Sequence, residues 1–181
     1  SRPNRRAVTP ARLLPLLAVL ALGLFLAFNL GRPQQAVVRS AMVGKPVPAF
    51  ALAGLAPDGP GLSAADLRGN GPVLVNFFAS WCLPCRVEAP QLKALADAGV
   101  RIDGIALRDQ PEAIEGFLRK TGNPFTRIGL DRDGQVAIAF GSSGVPESFL
   151  VDGRGIIRYQ HIGEIRPEQV PALMKEIEKW R

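Results

Sequence analysis

Apolar and polar positions divide the chain into a leading segment with no polar face and a longer stretch in which strand-like and helix-like periods alternate. Residues 13–30 carry no charge and consist of Leu, Ala, Val and Phe apart from Pro15, Gly23 and Asn29. A helix over those 18 residues would be about 27 Å long, close to the thickness of a bilayer core. Its apolarity on every side suits lipid better than a protein surface. Further on, residues 73–79 form a nearly continuous apolar run of the kind that is buried on both faces of a sheet. Residues 84–98 place Val87, Leu92, Leu95 and Ala96 at near-helical spacing ahead of Gly99, which predicts a helix and its end. The same reading predicts a strand over 101–107 and a helix over 111–121, with Pro111 in its first turn, Glu112 and Glu115 early, and Arg119 and Lys120 late. A strand over 127–130 and a short helix over 135–140 follow. Strands 148–151 and 156–162 then flank the turn Asp152-Gly153-Arg154-Gly155. The closing helix, 167–180, has Val170, Leu173, Met174 and Ile177 on one stripe. Ahead of all these, an apolar stretch at 49–55 and a turn at 57–61 lead to Ser63, the expected N-cap of a short helix through Leu67. The order β-α-β-α-β-β-α predicts an α/β domain: a mixed sheet, parallel strands first and a hairpin near the end, with helices on both faces.

The length of 181 residues fits one domain with an appendage. The net charge of +6 raises the question of a nucleic-acid partner, and its location answers it. Residues 1–40 hold six arginines and no acid, which leaves 16 basic and 16 acidic residues for 41–181. A phosphate-binding surface needs a basic excess on the folded part, and none is available, so no nucleic-acid partner is expected. Four arginines precede the apolar run, against Arg32, Arg39 and Lys45 after it, which orients the N-terminus to the cytoplasm. A cleaved secretory signal would need small residues beyond the run, and Ala27-Phe28-Asn29 does not supply them. The expected organisation is a basic cytoplasmic segment 1–12, a transmembrane signal-anchor 13–30, a tether 31–42 rich in Gly, Pro and Gln, and a domain 43–181 outside the cytoplasm.

The chain has two cysteines, Cys82 and Cys85, in the run Trp81-Cys82-Leu83-Pro84-Cys85 between the buried strand and the helix. A thiol at a helix N-terminus meets the positive end of the macrodipole and free N–H groups, both of which favour thiolate. Cys82 is placed to be that nucleophile. Cys85, one turn on, can attack a mixed disulfide at Cys82 and release the partner. Pro84 holds the first turn, and Trp81 offers an aromatic surface to a partner. Rival uses of the pair fail on composition: haem attachment needs His where Arg86 stands, and zinc needs ligands that one histidine, His161, cannot provide. A peroxidatic cysteine would need Pro and Thr where Val75 and Ala79 stand.

Across residues 43–180 the motifs are Gly44-Lys45-Pro46-Val47-Pro48-Ala49-Phe50, VLVNFFASWCLPCRVE over 73–88, Gly122-Asn123-Pro124-Phe125, Gly144-Val145-Pro146-Glu147-Ser148-Phe149-Leu150-Val151-Asp152 and Gly155-Ile156-Ile157-Arg158-Tyr159. With these, the chain resembles the thioredoxin-like proteins of cytochrome c biogenesis, the CcmG/DsbE family of thiol:disulfide interchange proteins. The resemblance implies a thioredoxin-like fold and a cis bond at Pro146, where the backbone with Val145 would pair with an extended partner segment. It implies Asn76 at the site where thioredoxins commonly carry a buried aspartate. Glu88 and Glu147 would be acidic groups that hold a proton or raise the thiol pKa values. The implied substrate is apocytochrome c, whose haem-attachment cysteines would be kept reduced. The implied source of electrons is a transmembrane thiol reductase of the DsbD/CcdA type, and no cofactor is implied. The implied location is the bacterial inner membrane with the domain facing the periplasm. Ser142-Ser143 and Val145 depart from the family's more frequent residues in the partner groove, and His161 is expected as an exposed strand residue. A non-catalytic docking adaptor of cytochrome c assembly, or exchange with other envelope disulfides, are the alternative roles.

Overall fold

A computed structural model describes residues 14–30 and 41–181, so the expected basic segment 1–12 and most of the tether, 31–40, lie outside the described residues. The chain forms two units, Ser1–Val38 and Arg39–Arg181. In the first, the apolar run becomes helix α1, Leu14–Leu30, of 17 residues. No helix among the described residues is long and apolar enough to cross a membrane.

In the second unit, β3 (Val73–Phe78) is buried at every residue, as a run with no alternation requires. It lies at the centre of a five-stranded sheet in the order β5-β4-β3-β6-β7, with β4 at Ile102–Leu107, β5 at Arg127–Asp131, β6 at Glu147–Val151 and β7 at Ile157–Ile162. β3 pairs parallel to β4 and antiparallel to β6, so the mixed sheet predicted from the element order is present. One face is covered by α2 (Leu83–Asp97), α3 (Pro111–Thr121) and α5 (Val170–Glu178), whose apolar side chains join Leu74, Phe78 and Ile102 in one cluster. The other face carries Val75, Phe77 and Phe149 against α4 (Gln135–Ala139) and Val47, Leu62 and Leu67 of the N-terminal segment.

Two sequence expectations are corrected. Ser63 does not cap a helix: β1 (Ala51–Leu52) pairs with β2 (Leu62–Ser63), and residues 64–67 make turns closed by Asp66 N–H to Ser63 O and Arg68 N–H to Ala65 O. Four residues give too few i→i−4 bonds to offset helix nucleation once Ser63 is committed to a strand. Val87 was expected on the buried stripe of α2 and is instead 58% exposed. Cys85, Glu88, Ala89, Leu92 and Leu95 set the buried face, and Val87 lies two residues from Cys85, on the far side of the helix. An acid therefore occupies a core position.

Gly104 on β4 shows how tightly the α2 face is filled. A Cβ there would stand 2.9 Å from Phe78 Cε1 and 3.0 Å from Phe125 Cδ1, whose rings stack at 4.6 Å. Gly104→Ala should cost about 2 kcal/mol in urea unfolding, as overpacking of a filled core does. A loss within error of zero would mean that Phe125 moves freely and that the stack has no role in fixing this layer.

Candidate active site

The strand that carries the site is buried, so the chain leaves it at a fixed point, and the next residues are held by hydrogen bonds. Ser80 N–H and Oγ donate to the Asp109 carboxylate at 2.5 and 3.0 Å, and Ser80 O accepts from Arg86 at 3.0 Å. Asp109 also accepts from Gln110 N–H at 2.8 Å, which ties this turn to the start of α3. Arg108, just before it, has φ 48, the left-handed region that a residue with Cβ seldom adopts. Ser80, Arg86 and Asp109 were not legible as site residues, because the Ser80–Asp109 contact spans 29 positions, the Arg86–Ser80 contact spans 6, and neither follows a period.

Beyond the turn, Cys82 is the N-cap of α2, with extended backbone at φ −83 and ψ 111. Its Sγ accepts the Cys85 N–H at 3.1 Å, the place a serine or aspartate oxygen takes at other helix starts. A sulfur in that position is bathed in the unsatisfied donors of the first turn, which favours negative charge on it. Cys82 and Cys85 form a disulfide, and both are buried. Leu83 and Pro84 occupy the first two helical positions, where the missing N–H of proline costs nothing. Trp81 and Leu83 are 60% and 70% exposed on either side of the recessed Cys82. Pro84 is exposed as well.

The Val145–Pro146 peptide bond is cis. Phe77 pairs with Glu147, so continuing that antiparallel register sets Pro146 level with Phe78, at the end of β3 that leads to Cys82. Val145 is half-buried against the cluster that contains Cys82 and Cys85. Pro146 O accepts from Gly163 N–H at 3.0 Å, so that side of the segment is used within the domain.

The two expected acids are both buried, in different surroundings. Glu88 Oε1 accepts from Asn76 Nδ2 at 3.0 Å, and Oε2 accepts from Ile165 N–H at 3.0 Å. Asn76 Nδ2 also donates to Ser148 Oγ at 3.0 Å. Glu88, Asn76 and Cys85 line one small cavity of about 10 Å³. Burial pushes the Glu88 carboxyl up to about 7; the bonds from Ile165 and Asn76 oppose the rise and the nearby Glu164 adds to it. Glu147 accepts from Ser142, Ser143 and Gln160 and is turned toward its own loop. His161, expected as exposed, is half-buried, with Nε2 3.2 Å from Glu164 O.

Two thiols that close on each other while one of them caps a helix can pass a pair of electrons to another disulfide, and their disulfide can take a pair from another dithiol, without any further group. Mounted at the end of this central strand, they make the chain a thioredoxin-like thiol:disulfide oxidoreductase. The sequence family described as Redoxin matches residues 42–177. The chain is 37% identical over 177 residues to the thiol:disulfide interchange protein DsbE of Escherichia coli, covering 92% of this chain and 95% of that one. It is 41% identical over 131 residues to the thiol:disulfide interchange protein HelX of Rhodobacter capsulatus, covering 72% and 74%. A solved Chlorobium tepidum chain described as a thiol:disulfide interchange protein DsbE superposes with a TM-score of 0.64 at 32% identity, covering 76% of this chain and 96% of that one. The chain belongs to the redoxin family, within its DsbE/HelX group of thiol:disulfide interchange proteins, also called CcmG.

The Glu88 carboxyl titrates near 7 in the folded state against an ordinary value of 4.5, so folding holds a proton that the unfolded chain releases. Its contribution to stability is whole below about pH 4.5 and is lost as pH rises through about 7. Glu88→Gln keeps an oxygen for Ile165, while a flipped Asn76 amide accepts from the new NH₂. Between pH 4.5 and 8 the variant should gain on the order of 3 kcal/mol relative to wild type in urea unfolding of the oxidised form. Parallel pH profiles for the two proteins would show that Glu88 is ionised in the fold at neutral pH.

Proposed function

We propose that the chain is a membrane-tethered, periplasm-facing reductase that keeps the haem-attachment cysteines of apocytochrome c reduced and is itself re-reduced by a transmembrane thiol reductase of the DsbD/CcdA type. The observation that carries the reading is the position of the Val145–Pro146 segment, at the end of β3 that leads to Cys82 and against the cluster that holds both cysteines. It offers a short backbone edge to an extended polypeptide rather than a pocket to a small molecule. The uncharged run at 13–30 and the arginines before it support anchoring in the inner membrane with the domain outside the cytoplasm.

In this reading the Cys82 thiolate attacks one sulfur of the partner's disulfide, forming a mixed disulfide and releasing the other sulfur as a thiolate, which takes a proton from solvent. Cys85 gives its proton to the Glu88 carboxylate across the small cavity they share. Its thiolate then attacks Cys82 Sγ and breaks the mixed disulfide, and the second partner sulfur leaves. Two electrons have moved to the partner, and the Cys82–Cys85 disulfide seen in the structure remains. Trp81 and Pro84 flank the exchange and Val145 lines it. An acid beside Cys85 disfavours a second negative charge there. It thereby withholds from the reduced pair the thiolate stabilisation that makes a strong oxidant.

A Cys85→Ser variant cannot resolve the mixed disulfide and should accumulate covalently joined to apocytochrome c in cells, visible as an adduct that a reductant removes. Equilibration against glutathione should give a potential well below about −120 mV, the value of a dedicated oxidase. Capture of other envelope proteins alone would transfer the role to a different disulfide. Normal cytochrome maturation with both cysteines replaced by serine would support a docking adaptor.

A further inference from the structure

Glu147 follows Pro146 directly, and its carboxylate is buried, with the residue 1% exposed. Its Oε2 accepts from Ser142 Oγ at 2.7 Å, from Ser143 N–H at 2.8 Å and from Ser143 Oγ at 3.2 Å. Its Oε1 accepts from the side-chain amide of Gln160 on β7. Ser142 Oγ also lies 3.0 Å from Gly144 O, but one hydroxyl has one hydrogen, and the shorter contact to an acceptor that carries charge takes it. The freed lone pairs of Ser142 Oγ receive Gly144 N–H at 3.3 Å. The loop that leads to the cis bond has Gly141 at φ 63 and Gly144 at φ 155, conformations open to glycine, so its own backbone imposes little shape. What fixes residues 142–146 is the carboxylate held from two sides, by the loop's serines and by β7.

We propose that Ser142, Ser143 and Gln160 are positioning residues: through Glu147 they hold the Val145–Pro146 edge in the shape that pairs with an extended polypeptide, and so favour polypeptide disulfides over small ones. The inference rests on the reading above that the partner docks as an extended chain. A small disulfide needs only to reach Cys82. An extended chain must also align its backbone along the loop, and directional bonds fail when that edge shifts by a fraction of their length. The cluster assigns Glu147 to the shape of the groove, separate from the proton handled at Glu88.

The test uses the reduced full chain, reacted with an oxidised Cys-x-x-Cys peptide and, separately, with glutathione disulfide. The Ser142→Ala/Ser143→Ala double variant should lose about tenfold in the second-order rate constant of this single turnover with the peptide, mainly through weaker saturation by the peptide, and only about twofold with glutathione disulfide. Ser143→Ala alone, at an exposed position, should move the same way by a smaller factor, and Ser143→Thr should return toward wild type. Equal losses on both substrates, or variants that match wild type on the peptide, would overturn the inference. A wild-type protein that shows no preference for the peptide would overturn the extended-chain reading and the inference with it.

Discussion

The structure depends on how the NH₂ group of one amide is satisfied inside a strand that touches no water. β3 is buried over its whole length, and Asn76 is its one polar side chain. A buried amide without partners is costly, so its position dictates what must lie around it. It donates to Glu88 on α2 and to Ser148 on β6, and Glu88 in turn holds the backbone of Ile165 ahead of α5. Three separate parts of the chain are pinned to the strand that leads to Cys82. An aspartate at position 76 would set two buried acids against each other; the neutral amide lets Glu88 be the group that titrates.

The two buried glutamates show how environment assigns roles to one residue type. Glu88 has an apolar cavity, Cys85 on the same cavity wall and two N–H donors, and its carboxyl is pushed up to about 7. Glu147 has two hydroxyls, a backbone N–H and an amide, all of them from the loop and strand beside Pro146. The first is surrounded by what a proton-transfer group needs, the second by what fixes a loop.

Much of the fold was legible because burial imposes a period. The all-apolar run at β3, the parallel strands, the hairpin and the stripe of α5 follow from where side chains must point. The cysteine pair was legible because its chemistry demands residues close in sequence. The failures share another cause. Val87 gave up its expected place on the buried stripe to Glu88, because the burial of that acid is decided by partners 12 and 77 positions away. Ser63 joined a strand because Leu62 found β1 across a turn, and the hold of Asp109 on Ser80 is likewise a tertiary contact. Hydropathy says nothing about bonds of this kind.

Cys82 is only 4% exposed, yet its neighbours Trp81 and Leu83 stand well out into solvent. A sulfur set below its own rim cannot be approached by a disulfide that is flush with, or beneath, the surface of a folded protein. It can be approached by one carried on a loose, narrow segment that bends inward. For the unfolded partner proposed above, the recess would work as a clock as much as a filter: exchange would be open before that chain collapses and closed afterwards. The interval for exchange would then be set by the folding rate of the partner, and the reagent would fall silent without being switched off.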